Sequence, residues 1–441
     1  MDRWGSRSTF VLALAAAAVG LSNIWRFAYL LGENGGSPFM ASYVLALLVM
    51  AVPIMVAEVA IGSTGRGSPW ASLRKVAAGS QRAGLWALLG PLACVTALLL
   101  LVAIMVIAAW SLTFAFHHQL GTFAAISLRG TQAFFEDLIA QPLRSVGWMT
   151  LALMPLVAAG VAGIHRGLAA LMWLCVPLLF VLFAVLVDFA IEHGDLAAAG
   201  DFIFGSQFMD FSATSFLLAF SHALFTLGIG VAVGLTFGAY APERLPLCRS
   251  VLAVALFDVV VAVAVAVIIY PLLFANNLAP AQGFGLLFIA LPYAFGNLNL
   301  GDFFGTLFFF AVYVVSLASA VALLEPLLAS LRHTRLNRAR AALVACGVVW
   351  LLAVASLYSL MPGSALFGLF VEMEALVSLV LLPLGALLLA VFAGWRVRRE
   401  ILRGALAREP DILFSLWYFL LRFVVPPAVI FAWVGVLITV S

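Results

Sequence analysis

The chain has 441 residues, of which 65% are apolar and only 9% charged, with a formal net charge of +3. Soluble domains carry about 25% charged and about half apolar residues, so this composition excludes a soluble globular protein and indicates a polytopic membrane protein. Long uninterrupted apolar runs such as 249–275 also exclude a membrane β-barrel, whose strands alternate apolar and polar residues.

A spanning helix needs about 20 mostly apolar residues. Runs of that kind between Gly, Pro and charged breaks predict eleven spans, at about 9–31, 38–62, 86–116, 147–165, 168–192, 213–240, 249–275, 302–331, 338–358, 366–395 and 412–440. The first run follows Arg3 and Arg7 as a secretory leader would, yet it contains Asn23, Arg26 and Glu33 and leads directly into the second, so it reads as part of the mature protein. Placing the amino terminus in the cytoplasm puts eighteen of the 22 Lys and Arg residues on the inner side, ending with Arg396, Arg398, Arg399, Arg403 and Arg408. Outer loops then hold only Arg129 and Arg144, while Arg26 and Arg422 fall within spans, and Ser441 lies outside. One miscounted helix would swap the sides of every later loop, so the bias supports both the count and the orientation, and the expected location is the cell's inner (plasma) membrane. Cys94, Cys175, Cys248 and Cys346 are scattered through or beside apolar segments and read as small buried hydrophobes, neither a disulfide frame nor a metal site.

Two spans are interrupted. The first carries Gly20-Leu21-Ser22-Asn23 followed by Arg26, and the sixth carries Phe225-Thr226-Leu227-Gly228-Ile229-Gly230. A charge at bilayer depth costs at least about 2.5–3.5 kcal/mol on insertion scales, so such a segment needs a reason to exist. Irregular backbone is tolerated at that depth only where it lines a cavity, and matching breaks in two halves of a chain point to a midplane binding site. Spans 1 and 6 open two five-helix halves, about 9–192 and 213–395, with an extra helix at about 412–440.

The residues then carry a resemblance. Trp4-Gly5-Ser6-Arg7, Ala18 through Phe27, Glu33-Asn34-Gly35-Gly36, Pro53 to Glu58 and Gly62 begin the pattern. Phe225-Thr226-Leu227-Gly228, Leu291-Pro292, Ser319 and Glu325-Pro326 continue it in order. Together they resemble the neurotransmitter:sodium symporter family, specifically its eleven-helix bacterial members. The resemblance implies an all-α LeuT-type fold, a 5+5 inverted repeat with broken helices 1 and 6, and sodium-coupled import of a small organic solute by alternating access.

It also implies sites. A first sodium site would use the Ala18 carbonyl with the side chains of Asn23, Thr226 and Asp258; many bacterial members have aspartate where others have asparagine. A second would use the carbonyls of Ala16, Val19 and Val315 with the Ser319 hydroxyl, but Ala318 stands where the family usually has a second hydroxyl, so one ligand is missing. The substrate would lie between the breaks, its carboxylate on the Leu21 and Ser22 amides, with Ala18, Leu100, Ile104, Phe225, Thr226, Gly228, Val231, Ser319 and Leu323 around it. Ile104 replaces the family's helix 3 tyrosine, and the lining is apolar, which points to an apolar or aromatic amino acid. The outer gate would pair Arg26 with Glu374, Glu372 being the alternative acid. His333 replaces the acid usual at the inner gate, which is left unassigned. In chloride-dependent members a halide lies near positions matching Tyr43 and His222; the fixed charge of Asp258 makes one unnecessary here.

Partners are therefore the solute, sodium and lipid, with no nucleic acid. A transport-inactive relative acting as a sensor or partner subunit is the alternative. An ion channel lacks a repeated pore motif here, and an enzyme lacks any nucleophile–base pair, metal cluster or phosphate-binding glycine loop.

Overall fold

The computed structural model describes residues 4–18, 20–78, 83–205, 211–243, 245–279, 283–332 and 336–440, and is all-helical, with no strand among the described residues. The helices are α1 (Arg7–Ala18), α2 (Asn23–Glu33), α3 (Ser37–Gly65), α4 (Pro69–Ala77), α5 (Ala83–Gln119), α6 (Leu128–Ala140), α7 (Pro142–Gly163) and α8 (Ala170–His193). They continue as α9 (Leu196–Phe204), α10 (Ala213–Thr226), α11 (Val233–Ala239), α12 (Leu247–Ala275) and α13 (Leu286–Gly296). The chain closes with α14 (Gly301–Leu331), α15 (Arg338–Leu360), α16 (Leu369–Arg396), α17 (Arg399–Ala405) and α18 (Asp411–Leu437).

Among the described residues eight helical stretches are long and apolar enough to cross a membrane, or nine when α1 and α2, bent by 50°, count as one. One of the eight, Pro142–His193, covers two of the predicted spans. Its continuity is nominal: Gly163 has φ +100°, a conformation reserved for glycine, before the π-helical turn Ile164–Ala169. On its two sides the partners differ: α7 packs on α5 and α15, whereas α8 packs on α12 and α14. The pair α10 and α11 escapes the count because each half of the interrupted segment is short. The long stretches between the predicted spans, at about 117–146 and 276–301, carry the short helices α6 and α13.

An α-helix that is apolar all round is buried in protein or faces lipid, and burial separates the two cases. The most apolar windows of α3 and α14 are 78% and 89% buried, so these are central; that of α18 is 33% buried, so it is peripheral. The long helices α5 and α14 pack along each other, α1 lies against α12 and α14, and α11 lies on α3. The last contact is close enough that a Cβ on Gly62 or Gly238 would strike the backbone of Leu235 or Val59, the small-residue packing that membrane helices use. It holds the second half of the interrupted α10–α11 segment rigidly beside α3.

Candidate functional site

Both sequence breaks are structural breaks. Helix α1 ends at Ala18, Val19 lies outside the described residues, and α2 restarts with a π-helical turn at Asn23–Phe27. The other break runs through 227–232, where Gly228 (φ +63°), Gly230 (φ +79°) and Ala232 (φ +59°) are all left-handed. Three such residues in six cannot propagate a right-handed helix. Glu58 of α3, 1% exposed, accepts a 2.7 Å hydrogen bond from the freed Gly230 amide, replacing the helical partner that the break removes. The sequence motif contained Glu58, but this bracing role becomes visible only once α11 is packed on α3.

Where the breaks meet, four elements contribute one buried polar cluster. Asp258 of α12 accepts from Asn23 Nδ2 (2.9 Å) and the Thr226 hydroxyl (2.8 Å) on one carboxyl oxygen, and from the Tyr43 hydroxyl on the other. The Ser22 hydroxyl donates to Asn23 Oδ1 at 3.0 Å, and Thr226 Oγ1 lies 3.1 Å from the same oxygen. Asn23 and Asp258 are both 0% exposed. All three groups on Asp258 are donors, and no ion pair reaches it among the described residues. A buried carboxylate calls for a compensating cation, and the surrounding oxygens are of the hard type that sodium binds. Tyr43 thus joins the expected trio of Asn23, Thr226 and Asp258 as the residue that aims the carboxylate. Beside it His222, fully buried, packs its ring 5.2 Å from that of Tyr43 and 5.6 Å from that of Phe27, and neither of its nitrogens has a hydrogen-bond partner.

Of the residues expected around a second sodium, Ala16 is at the end of α1 and Val315 and Ser319 are one turn apart on α14. The Ser319 hydroxyl is buried without a hydrogen-bond partner and would lie 3.0 Å from a Cβ at Gly20, so it is aimed at the α1–α2 break. Ala318 instead faces an apolar crevice with Ala16, Phe180 and Phe257, and supplies no oxygen there.

A cavity lies between the breaks. Leu21, Ser22, Leu100, Ile104, Phe225, Thr226, Gly228, Val231, Ser319 and Leu323 all line it, so of the expected substrate residues only Ala18 is outside the wall. Sequence reasoning missed Ala17, Trp25, Leu99, Ala103, Ile107, Val233, Ala322, Met373 and Val377, which also line it and carry no charge or hydroxyl that would mark them. Glu374 borders the cavity and Glu372 is exposed, which separates the two candidate gate acids. Arg26 makes no ion pair with Glu374 within 4 Å; its guanidinium lies over the Phe225 ring at 4.7 Å. Trp25, from the cavity wall, stacks on Phe284 with ring centroids 4.5 Å apart.

A second polar network, absent from the sequence reading as a network, lies at the arginine-rich end. Glu325 of α14 is 0% exposed and receives Arg338 NH1 and NH2 at 2.9 and 2.6 Å, and the Tyr240 hydroxyl at 2.9 Å. The Trp4 amide donates to the Tyr240 carbonyl at 2.9 Å, and the Trp4 ring packs edge-on against Phe237. His333 lies outside the described residues.

The profile of the Sodium:neurotransmitter symporter family matches residues 1–124 and 139–440. The chain belongs to this family. Its members are sodium-coupled membrane transporters and not enzymes. The uncharacterized sodium-dependent transporter YhdH of Bacillus subtilis is 27% identical over 99% of this chain and 97% of its own length. An uncharacterized sodium-dependent transporter of Methanocaldococcus jannaschii is 27% identical over 98% of this chain and 89% of its own. The crystal structure of MhsT in complex with L-phenylalanine superposes with a TM-score of 0.88 at 30% identity, covering 99% of both chains, so the fold is the LeuT type.

Proposed function

We propose that this transporter imports a medium-to-large apolar or aromatic amino acid together with sodium, across a membrane it spans eleven times with its amino terminus inside. The observation that carries the reading is the junction of the two breaks, where an apolar cavity adjoins the Asp258, Asn23 and Thr226 cluster. Among the lining residues none is Lys or Arg, which disfavours acidic substrates, and the solved MhsT complex holds phenylalanine. The substrate carboxylate sits at the amino end of α2, where backbone donors and the helix dipole favour an anion. Sodium binds the oxygens of the first cluster, and the aimed Ser319 hydroxyl contributes to a second site that has one oxygen fewer than usual. Arg26 and Glu374 close the outer side; Glu325, Arg338 and Tyr240 close the inner side. The two halves, about 9–192 and 213–395, form the inverted repeats.

Binding of L-phenylalanine to the purified protein, with sodium and with potassium replacing it, tests the reading; equal affinity in both would overturn it. Uptake into vesicles separates an active transporter from a sensor that binds without transport. Ile104→Tyr restores a hydroxyl to the cavity, and a hydrogen bond to a charged group is worth about 1.5–3 kcal/mol, so phenylalanine should bind about tenfold tighter or more. Unchanged affinity for every amino acid, beside good binding of a solute without a carboxylate, would move the substrate outside the amino acids.

Chloride is expected to be unnecessary. The Asp258 carboxylate, hydrogen-bonded to Tyr43, already places a negative charge where a halide would otherwise sit, and two anions a few ångströms apart repel. Replacing chloride by gluconate should leave uptake unchanged, and a several-fold loss would count against the assignment.

A further inference from the structure

Arg422 is an arginine inside a membrane helix with no acid beside it. It lies in the π-helical turn Leu420–Val424 of α18, its Nε is buried without a hydrogen-bond partner, and it forms no ion pair among the described residues. Its guanidinium carbon sits 4.7 Å from the Trp395 ring and 5.4 Å from the Phe423 ring. Cation–π contact lowers the energy of a desolvated guanidinium but leaves its charge uncompensated.

The depth of the group is fixed by its neighbours. A Cβ on Gly394 would be 3.2 Å from the Arg422 Cα, the Trp395 indole donates to the Arg422 carbonyl at 3.2 Å, and the Tyr418 hydroxyl donates to the Gly394 carbonyl at 3.3 Å. Arg422 is therefore level with the last turn of α16, two residues short of Arg396, at the arginine-rich boundary of the membrane. Trp395, Phe419 and Phe423 are each 53% exposed, so the group opens toward lipid and not toward the protein interior.

Of the acids at this end, exposed Glu400 lies in the first turn of α17 without an ion pair among the described residues, and two others are taken. Asp411 pairs with Arg403 at 2.7 Å and Glu409 with Arg249 at 3.2 Å, whereas Arg396, Arg398 and Arg399 have no ion pair among the described residues. Positive charge at the headgroup boundary, flanked by exposed aromatic rings and lacking a protein anion, has the chemistry that recognises an anionic lipid. We propose that Arg422, whose guanidinium lies over the rings of Trp395 and Phe423, binds the phosphate of an anionic phospholipid. The inference rests on the chain being a membrane protein and is independent of its substrate.

The test is native mass spectrometry of the full-length protein titrated with phosphatidylglycerol and with zwitterionic phosphatidylcholine. Wild type should bind phosphatidylglycerol at least about fivefold more tightly, the ratio that one arginine near a charged headgroup supplies. Arg422→Gln should bring phosphatidylglycerol down to the level of phosphatidylcholine, and inorganic phosphate at millimolar concentration should displace neither lipid. Equal phosphatidylglycerol affinity in wild type and Arg422→Gln, or no preference over phosphatidylcholine, would overturn the proposal. Displacement by inorganic phosphate would also overturn it, in favour of a small-anion site. Should Arg422→Gln fail to fold, Arg422→Lys and Trp395→Leu decide: each should lower phosphatidylglycerol affinity at least twofold with phosphatidylcholine unchanged, and no change in both would reject the site. Sodium-dependent binding of phenylalanine should persist in these variants, which keeps this test separate from the substrate reading.

Discussion

Asp258→Asn is expected to abolish sodium-dependent ligand stabilisation while leaving a folded protein. Asparagine keeps one oxygen to accept from Asn23 and Thr226, and in place of the oxygen that accepts from Tyr43 it presents an NH2 group, which a rotated Tyr43 hydroxyl can accept from, so the charge goes while the hydrogen bonds can re-form. A unit charge about 4 Å from a cation, at an effective dielectric constant of about 20, contributes about 4 kcal/mol, or about three decades of sodium affinity. The sodium titration of thermal stability should therefore go flat over the range in which wild type saturates. Asp258→Ala is the harsher variant, because it leaves the Asn23 amide and the Thr226 and Tyr43 hydroxyls without their acceptor in a buried site. It should lose the sodium response too and melt several degrees lower. A variant that still shows a wild-type sodium titration would remove Asp258 from the sodium site and leave it as a structural hydrogen-bond acceptor.

The parts of this site that were legible in the sequence are those whose residue type is costly in a bilayer. Gly20, Ser22, Asn23, Arg26, Gly228 and Asp258 each break the apolar helical pattern of a spanning segment, and each lies at or beside a break or the cavity. A violation of a local rule marks a place where something else compensates, so it points to a site. The apolar wall gave no such signal: Ile107, Ala322 and Met373 differ in nothing from helix-packing residues until the fold brings them to one cavity. Fold class was legible because hydropathy reports apolar runs directly. The sequence already separated 147–165 from 168–192 and marked the interruption in 213–240, but not the backbone that makes them: one positive φ at Gly163 and three left-handed residues within 227–232. Arginines were the least legible. Counting Lys and Arg treats every inner arginine as a solvated topology signal, yet Arg338 reaches back into the protein to a buried acid; Arg422, which that count left within a span, forms no ion pair among the described residues.

Arg338 leads to the second large effect. Glu325→Gln and Arg338→Ala are each expected to open the inner side of the transporter and shift it toward the inward-facing state. The ion pair is desolvated, Glu325 being 0% and the Arg338 side chain 13% exposed, and its geometry is bidentate. Arg338 is also tied at Nε to the Gly160 carbonyl at 3.0 Å, which fixes α15 to α7, while Tyr240 ties the same carboxylate to the end of α11. Arg66 adds a further clamp by donating to the Ala239 and Ala241 carbonyls, and the Trp4 amide holds the amino-terminal segment on Tyr240. Movement of α11 away from α14 and α15 therefore breaks the Tyr240 bond first and exposes the ion pair to water. Removing one partner of a buried pair costs about 3–5 kcal/mol, and any share of it felt only in the closed state shifts the populations by a factor of ten for each ~1.4 kcal/mol. Hydrogen exchange of the amides at 4–10 and 237–243 should speed up at least tenfold in both variants, and sodium-bound occlusion of ligand should weaken. Because both changes remove the same contact, the double variant should exchange no faster than the worse single one. Additive acceleration in the double variant, or wild-type exchange in Glu325→Gln, would show that the network only supports the fold, and the inner gate would then have to be sought elsewhere.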